Sequence, residues 1–325
     1  MREIYRHIEL NFGQLVEPLV LHSLNEELLA GVWAILYETV LIENKVKRSI
    51  KETIATCESE INKCNYCADA HSIMIIGTEN KLQHNIQSVK DGKSELKTKE
   101  DKLILWALNN LNLNDDIILS PPFNKSEKPE IIGTAVLFHY INRMVNIFAL
   151  DTPLPTSKMK GLVKYLASNL IFKKVIKKKK VKGESLTFID VGNRYKFDSF
   201  EWASEIPEIQ TAFRYLKFQT EINIEKVLSS ELIAELKKQG SNMNLLKPSL
   251  GNKNLSQFLL SVKSSEKQIA EFCFLTMFET HKIQEKHIVA LKQRLTDKEI
   301  LQIAAYVSLL ISENIGKKLF TNNEQ

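Results

Sequence analysis

The sequence predicts an all-α protein, and three observations lead there. Glycine supplies 11 of 325 residues and proline 8, about half of average usage, so tight β-turns and glycine-rich phosphate loops lack their raw material. Neither GxGxxG nor GxxxxGKS/T occurs. Apolar residues recur at helical spacing along most of the chain, and strand-type alternation never persists for more than a few residues.

The first helix expected from periodicity runs over 24–43, with Leu28, Val32, Ile35 and Leu36 on one stripe and Trp33 beside it. The next, 45–61, places Val46, Ile50, Ile54, Cys57 and Ile61 together. After a polar break at Asn62-Lys63, with Asn62 as candidate N-cap, a helix spans about 64–77 and stops at Gly77. The polar stretch 78–100 carries a turn signal at Asp91-Gly92; helices follow at 101–111 and, beyond Pro121-Pro122, at 129–149. A further helix is expected near 157–173, and the chain is again helical from 205 to 320.

The expected organisation is a first domain at 1–150, a connector at 151–204 and a second helical unit at 205–325. Segments 127–148 and 295–320 are both long apolar helices with acidic starts and a late polar patch, which suggests an internal duplication. The lysine run Lys173, Lys174 and Lys177–Lys180 has no interleaved aromatics, and a net charge of +5 is mild for this length, so no nucleic-acid partner is expected. The longest apolar stretch, 131–150, is broken by His139, Asn142, Arg143 and Asn146, and therefore makes a poor membrane span. The first residues show neither an apolar signal core nor a lipidation signal, and four cysteines are too few for a disulfide scaffold. The expectation is a soluble, cytoplasmic protein with no membrane partner.

One constellation carries chemistry: Glu52, then Cys64-Asn65-Tyr66-Cys67 and His71. On a helix, residues three and four apart share a face, so Cys64, Cys67 and His71 form one stripe. A thiol near pKa 8.5 is about 3% ionised at pH 7, and a helix N-terminus or a protonated histidine would raise that fraction. Intrinsic nucleophilicity falls with pKa, however, so such tuning is worth only a few-fold net. Proton delivery by His71 would have to carry more. Glu52 lies twelve residues before Cys64, about 18 Å along a straight helix. A fold-back at Asn62-Lys63 would bring it to His71, with small Ser49, Ala55, Thr56 and Ser59 permitting close approach. On spacing alone, a solvated helix glutamate is the favoured reading of Glu52.

Glu52, Cys64-x-x-Cys67 and His71 in this spacing resemble the signature of AhpD-like alkylhydroperoxidases, within the carboxymuconolactone decarboxylase superfamily. FGQLVEPLVLHS, KRSIKET, CNYCADAH, HYINRMVNIF and FEWASEIPEIQTAF are similar to a longer branch of that superfamily, with two repeats in one chain. The resemblance implies an all-helical bundle and a thiol peroxidase without a bound cofactor. Cys64 and Cys67 would cycle through sulfenic acid and disulfide, Glu52 and His71 would relay protons, and a dithiol of thioredoxin or lipoyl type would return the electrons. Cys67 is favoured for attack because it lies one turn from His71, with Cys64 resolving at a more exposed helix start; the reverse assignment stays open. The resemblance also implies a homo-oligomer, with a trimer favoured.

Family members described with this signature carry a histidine where Tyr66 stands here. The second half has no CxxC, so Cys273, beside Phe272 and Met277, is expected in a non-catalytic copy. The alternatives are a redox-sensing thiol pair, or a zinc site built on Cys64, Cys67 and His71 with Cys57 or a distant residue as fourth ligand. His139 reads as a satisfied core histidine and Arg143 as a helix-end arginine, in preference to direct roles in the site.

Overall fold

A computed structural model describes residues 1–149, 179–190, 192, 199–242 and 253–321. Among these residues the regular structure is entirely helical. The helix expected near 157–173 and most of the lysine run lie outside the described residues, as do parts of both the connector and the second unit. In chain order the principal helices are α1 (Arg2–Phe12), α2 (Glu26–Leu36), α3 (Arg48–Ile61), α4 (Asn65–Glu79), α5 (Lys81–Lys90), α6 (Lys99–Asn109) and α7 (Lys128–Phe148). The second half supplies α8 (Pro207–Ile224), α9 (Ser230–Gly240), α10 (Lys253–Leu260), α11 (Lys267–Phe278), α12 (Glu285–Lys292) and α13 (Asp297–Thr321).

Local signals account for several boundaries. Asn25 caps α2 by accepting the Leu28 N–H, and Thr98 caps α6 through the Asp101 N–H. The 24–43 segment becomes α2 followed by a π-helical turn at Tyr37–Leu41. It is buried on every side from Leu28 to Ile42, so the single apolar stripe read from the sequence understates its burial. Two expectations are corrected between 62 and 100. Helix α4 continues through Gly77 to Glu79, and the stretch read as polar turn contains α5, which ends at the expected Asp91-Gly92 turn. Leu82, Ile86 and Val89 provide α5 with a buried stripe that its surrounding lysines and glutamines obscured.

The core is organised on α3, which packs against α4, α6 and α7, and on α7, which packs against α13. The two long apolar helices that the sequence pairs are thus neighbours at the centre. Helix α7 is long and apolar enough to cross a membrane by length and composition, yet most of its apolar window is buried within the fold. It enters beside an ionic knot: Glu130 pairs with Lys51 Nζ at 2.8 Å, both side chains fully buried. The same carboxylate accepts the backbone N–H groups of Asn44, Lys45 and Val46 at 3.2, 2.7 and 3.1 Å. Lys51 Nζ also donates to the Ile42 carbonyl. Such a pair returns its desolvation cost only when further hydrogen bonds support it, and here Glu130 accepts three backbone N–H groups besides Lys51, which itself also donates to a carbonyl.

The described parts of the connector are packed onto the first half. Buried Glu38 accepts the Gly183 N–H at 3.0 Å and the Ser185 hydroxyl at 2.6 Å, while Tyr37 donates to Glu184 at 2.8 Å. Trp202 lies between α7 and α13, against Gly133 and Gly316. A Cβ at Gly316 would meet Val136 Cγ2 at 2.5 Å and Trp202 Nε1 at 3.1 Å. Gly316→Ala is therefore expected to lose about 1–3 kcal/mol from overpacking, despite alanine's better helix propensity. The shift of the chemical unfolding midpoint measures it, and an unchanged or raised midpoint would contradict this account of the α7–α13 contact.

Candidate active site

The site is built on the turn between α3 and α4. The Lys63 N–H donates to the Glu60 carbonyl at 3.0 Å and the Cys64 N–H to the Ser59 carbonyl at 2.8 Å. This paired closure is a Schellman motif, which needs a left-handed residue just past the helix end; Lys63 supplies it at φ 55°. Asn62 therefore ends α3 and does not cap α4, contrary to the sequence expectation, and Cys64 itself is the N-cap of α4. Asn62 still has a local task. Its side chain donates to the Glu58 carbonyl at 2.8 Å and lies 3.0 Å from His139 Nδ1. Asn146 of α7 adds a bond to the Asn62 carbonyl at 3.1 Å, so the turn is pinned from outside as well.

Folding back at this turn brings Glu52 to His71. His71 Nδ1 donates to Glu52 Oε2 at 2.7 Å, and Arg48 Nε donates to the other oxygen, Oε1, at 3.0 Å. Glu52 is fully buried, so the solvated-glutamate reading does not apply to it. Ser59, one of the small residues that permits close approach, donates to Asn142 of α7 at 3.2 Å. Phe138 of α7 meets the His71 ring edge-on, with centroids 4.5 Å apart, and fixes the imidazole plane between the carboxylate and α7. Burial alone would push the Glu52 carboxyl up, but the His71 hydrogen bond and the Arg48 charge outweigh it and hold Glu52 below the ordinary carboxylate range.

Cys64 and Cys67 are both about 1% exposed, so the expected contrast between an exposed and a covered thiol is absent. Burial pushes Cys67 well up, reinforced by its hydrogen bond to Cys64. For Cys67, loss of water around the sulfur is the dominant influence. Tyr66, between the cysteines, is hydrogen-bonded to Glu17 and is also raised by burial. It anchors the CxxC turn to the segment before α2 and supplies no base there.

Sequence reading did not single out a second buried cluster, and only the burial of α3 reveals it. Glu58 Oε2 lies 3.1 Å from His139 Nε2, and Glu58 Oε1 accepts from Asn110. Arg143 donates to the Met277 carbonyl from Nε at 3.1 Å and Nη2 at 3.0 Å, and to the His139 carbonyl at 2.7 Å. It is thus a buried bridge to the second half and not a helix-end arginine, whereas His139 is the satisfied core histidine expected. Burial drives Glu58 well above and His139 well below their ordinary values, and lowers Arg143 to about 10. Cys57 and Cys273 are buried thiols raised by desolvation. Among the described residues, no group of three or more His, Cys, Asp or Glu side chains is placed to hold a metal ion.

The two glutamates of α3 should respond oppositely to neutralisation. A carboxylate held low in the fold contributes stability above its unfolded value, near 4.3, and loses it as pH falls through the folded value. Glu52→Gln is therefore expected to cost about 3 kcal/mol at pH 7 by leaving Arg48 unpaired, with the deficit shrinking below pH 4. Glu58 is raised, so its ionised form opposes folding at neutral pH, and Glu58→Gln is expected to cost less than about 1 kcal/mol. Urea unfolding of both variants across pH 3–8 measures the contrast; equal losses at pH 7 would refute it.

No protein-family model matches the chain. It is 28% identical over 215 residues to alkyl hydroperoxide reductase Rv2159c of Mycobacterium tuberculosis, a match spanning 66% of this chain and 60% of that relative. The chain thus aligns with less than two thirds of the relative's length. The similarity is to a protein named an alkyl hydroperoxide reductase, and it stands beside a fold that is entirely helical among the described residues.

Proposed function

We propose that the protein is a thiol-dependent peroxidase that reduces hydrogen peroxide or organic hydroperoxides. The observation that carries this reading is the fully buried Glu52 carboxylate bonded to His71 Nδ1, one helical turn beyond a reduced Cys64/Cys67 pair. A histidine held in this way presents its other nitrogen as a base. Because Cys67 is pushed up by burial, its resting form is the thiol, and removal of the proton becomes the step that needs assistance.

In the proposed cycle, His71 takes the Cys67 proton as sulfur attacks a peroxide oxygen. The O–O bond breaks, Cys67 becomes a sulfenic acid, and the departing alkoxide takes the proton from His71 as an alcohol. The Cys64 thiol then attacks the Cys67 sulfur, the S–O bond breaks, and water leaves as the disulfide forms. An external dithiol of thioredoxin or lipoyl type reopens it, so no bound cofactor takes part. A homo-oligomer, with a trimer favoured, and a reducing cytoplasmic setting belong to the same proposal. So does a duplicated organisation with a non-catalytic second repeat, supported by the packing of α7 against α13. A redox sensor without turnover is the second reading, favoured by the near-complete burial of both sulfurs.

Hydroperoxide consumption with excess dithiol distinguishes the two. Cys64→Ser and Cys67→Ser are each expected to abolish turnover, and one equivalent of peroxide should remove two thiols, mapped by mass to Cys64–Cys67. His71→Ala is expected to slow thiol oxidation by about 100-fold without preventing the disulfide. Full activity in both serine variants would overturn the peroxidase reading, and a wild-type rate in His71→Ala would remove the relay.

A further inference from the structure

The two oxygens of Glu52 have different partners, and only Oε2 faces His71. Oε1 receives Arg48 Nε, one turn earlier on α3, in a pair whose partners are almost wholly shielded from water. Arg48 is 4% exposed and is held from several directions. Its backbone N–H donates to Glu43 at 2.6 Å, and its Nη2 lies 4.0 Å from the Met74 sulfur on α4. The guanidinium thus touches both arms of the α3–α4 hairpin that brings Glu52 to His71.

We propose that Arg48 is a positioning residue of this site: it holds Glu52 by Oε1, aims Oε2 at His71, and sets the proton occupancy of the Glu52–His71 pair. The proposal rests on the reading that this pair serves the thiols, and it adds a residue to which neither the spacing nor the relative assigns a role. Arg48 neutralises the buried carboxylate, so His71 can remain neutral, donating from Nδ1 and keeping Nε2 free to accept a thiol proton. Without the guanidinium, a buried carboxylate has one remaining counter-ion, a protonated His71, and a protonated imidazole cannot act as a base.

The other charged groups around α3 are engaged elsewhere. Lys51 is paired with Glu130 of α7, Glu60 with Lys90 of α5, and Glu79 of α4 with Lys81. Glu58 belongs with Asn110 after α6 and with His139 and Arg143 of α7. Glu38 of the π-helical turn is bonded to Ser185 and Gly183. From α4, the remaining titratable groups on the His71 stripe are the Cys64 and Cys67 thiols, and from α7 the ring against His71 is Phe138. Arg48 and His71 are the charged groups that act on Glu52.

The test compares Arg48→Gln, which keeps a hydrogen-bond donor and removes the charge, with Arg48→Lys, which keeps the charge. Two quantities are followed in the full chain: the pH profile of single-turnover thiol oxidation, and the titration of the His71 ring by NMR of histidine-labelled protein. Arg48→Gln is expected to raise the pH at which the pair gives up its proton by about one pH unit, and to slow thiol oxidation at pH 7 about threefold, with recovery at higher pH. Arg48→Lys is expected to restore the wild-type midpoint. A folded Arg48→Gln protein with the wild-type midpoint overturns the proposal. If Arg48→Gln does not fold, Arg48→Lys decides: a retained midpoint supports the charge role, and one raised by a pH unit overturns it. The ring titration needs no turnover, so a wild-type protein inactive toward hydroperoxides would defeat the peroxidase reading while leaving the role of Arg48 measurable.

Discussion

Helix α3 buries charge, and the rest of the arrangement is built around the need to compensate it. Arg48, Lys51, Glu52 and Glu58 all lie out of water on one helix. An isolated ion in such a place costs several kcal/mol, so each must meet a partner or, as for Glu58, be driven toward its neutral form. The partners come from different elements: Lys51 takes Glu130 from α7, Glu52 takes His71 from α4, and Glu58 meets Asn110 and His139 from beyond α6 and from α7. Each pairing fixes a rotation and a height of α3 against a neighbour. Apolar contacts alone would allow that helix to slide by a residue, but this set of ionic and polar partners would not survive such a slip.

The chemistry inherits its geometry from that constraint. The Schellman closure at Lys63 sets the angle between α3 and α4, and Glu52 and His71 meet because each lies a few turns from it. The same turn makes Cys64 the N-cap of α4 and places Cys67 in its first turn. Depth then changes the expected division of labour. Desolvation raises the Cys67 thiol, so in the proposed cycle proton removal falls to His71, with Glu52 and Arg48 behind it.

Much of this was legible in residue order. Scarce glycine and proline, together with helical periodicity, indicated the all-α class, and the Asn62-Lys63 break marked the fold-back that lets Glu52 reach His71. Other features were hidden for identifiable reasons. The polarity of 78–100 concealed α5 because three apolar residues suffice to seat a short surface helix. The role of Arg48 has no sequence signal, since nothing in KRSIKET distinguishes a buried arginine from a solvated one. Arg143 was misread because its acceptor, the Met277 carbonyl, lies 134 residues away.

By itself, the sequence determined the helical class, the residues that can do thiol and proton chemistry, and their register on α4, because helical spacing is a local property fixed by backbone geometry. Tertiary structure decided which of those residues are in water. Burial sets whether Glu52 is a surface charge or a paired anion, whether the Cys67 thiol is raised by desolvation, and whether Glu58 is pushed toward its neutral form. These outcomes depend on the loss of solvent around a group, and that loss is the joint product of helices distant in the chain.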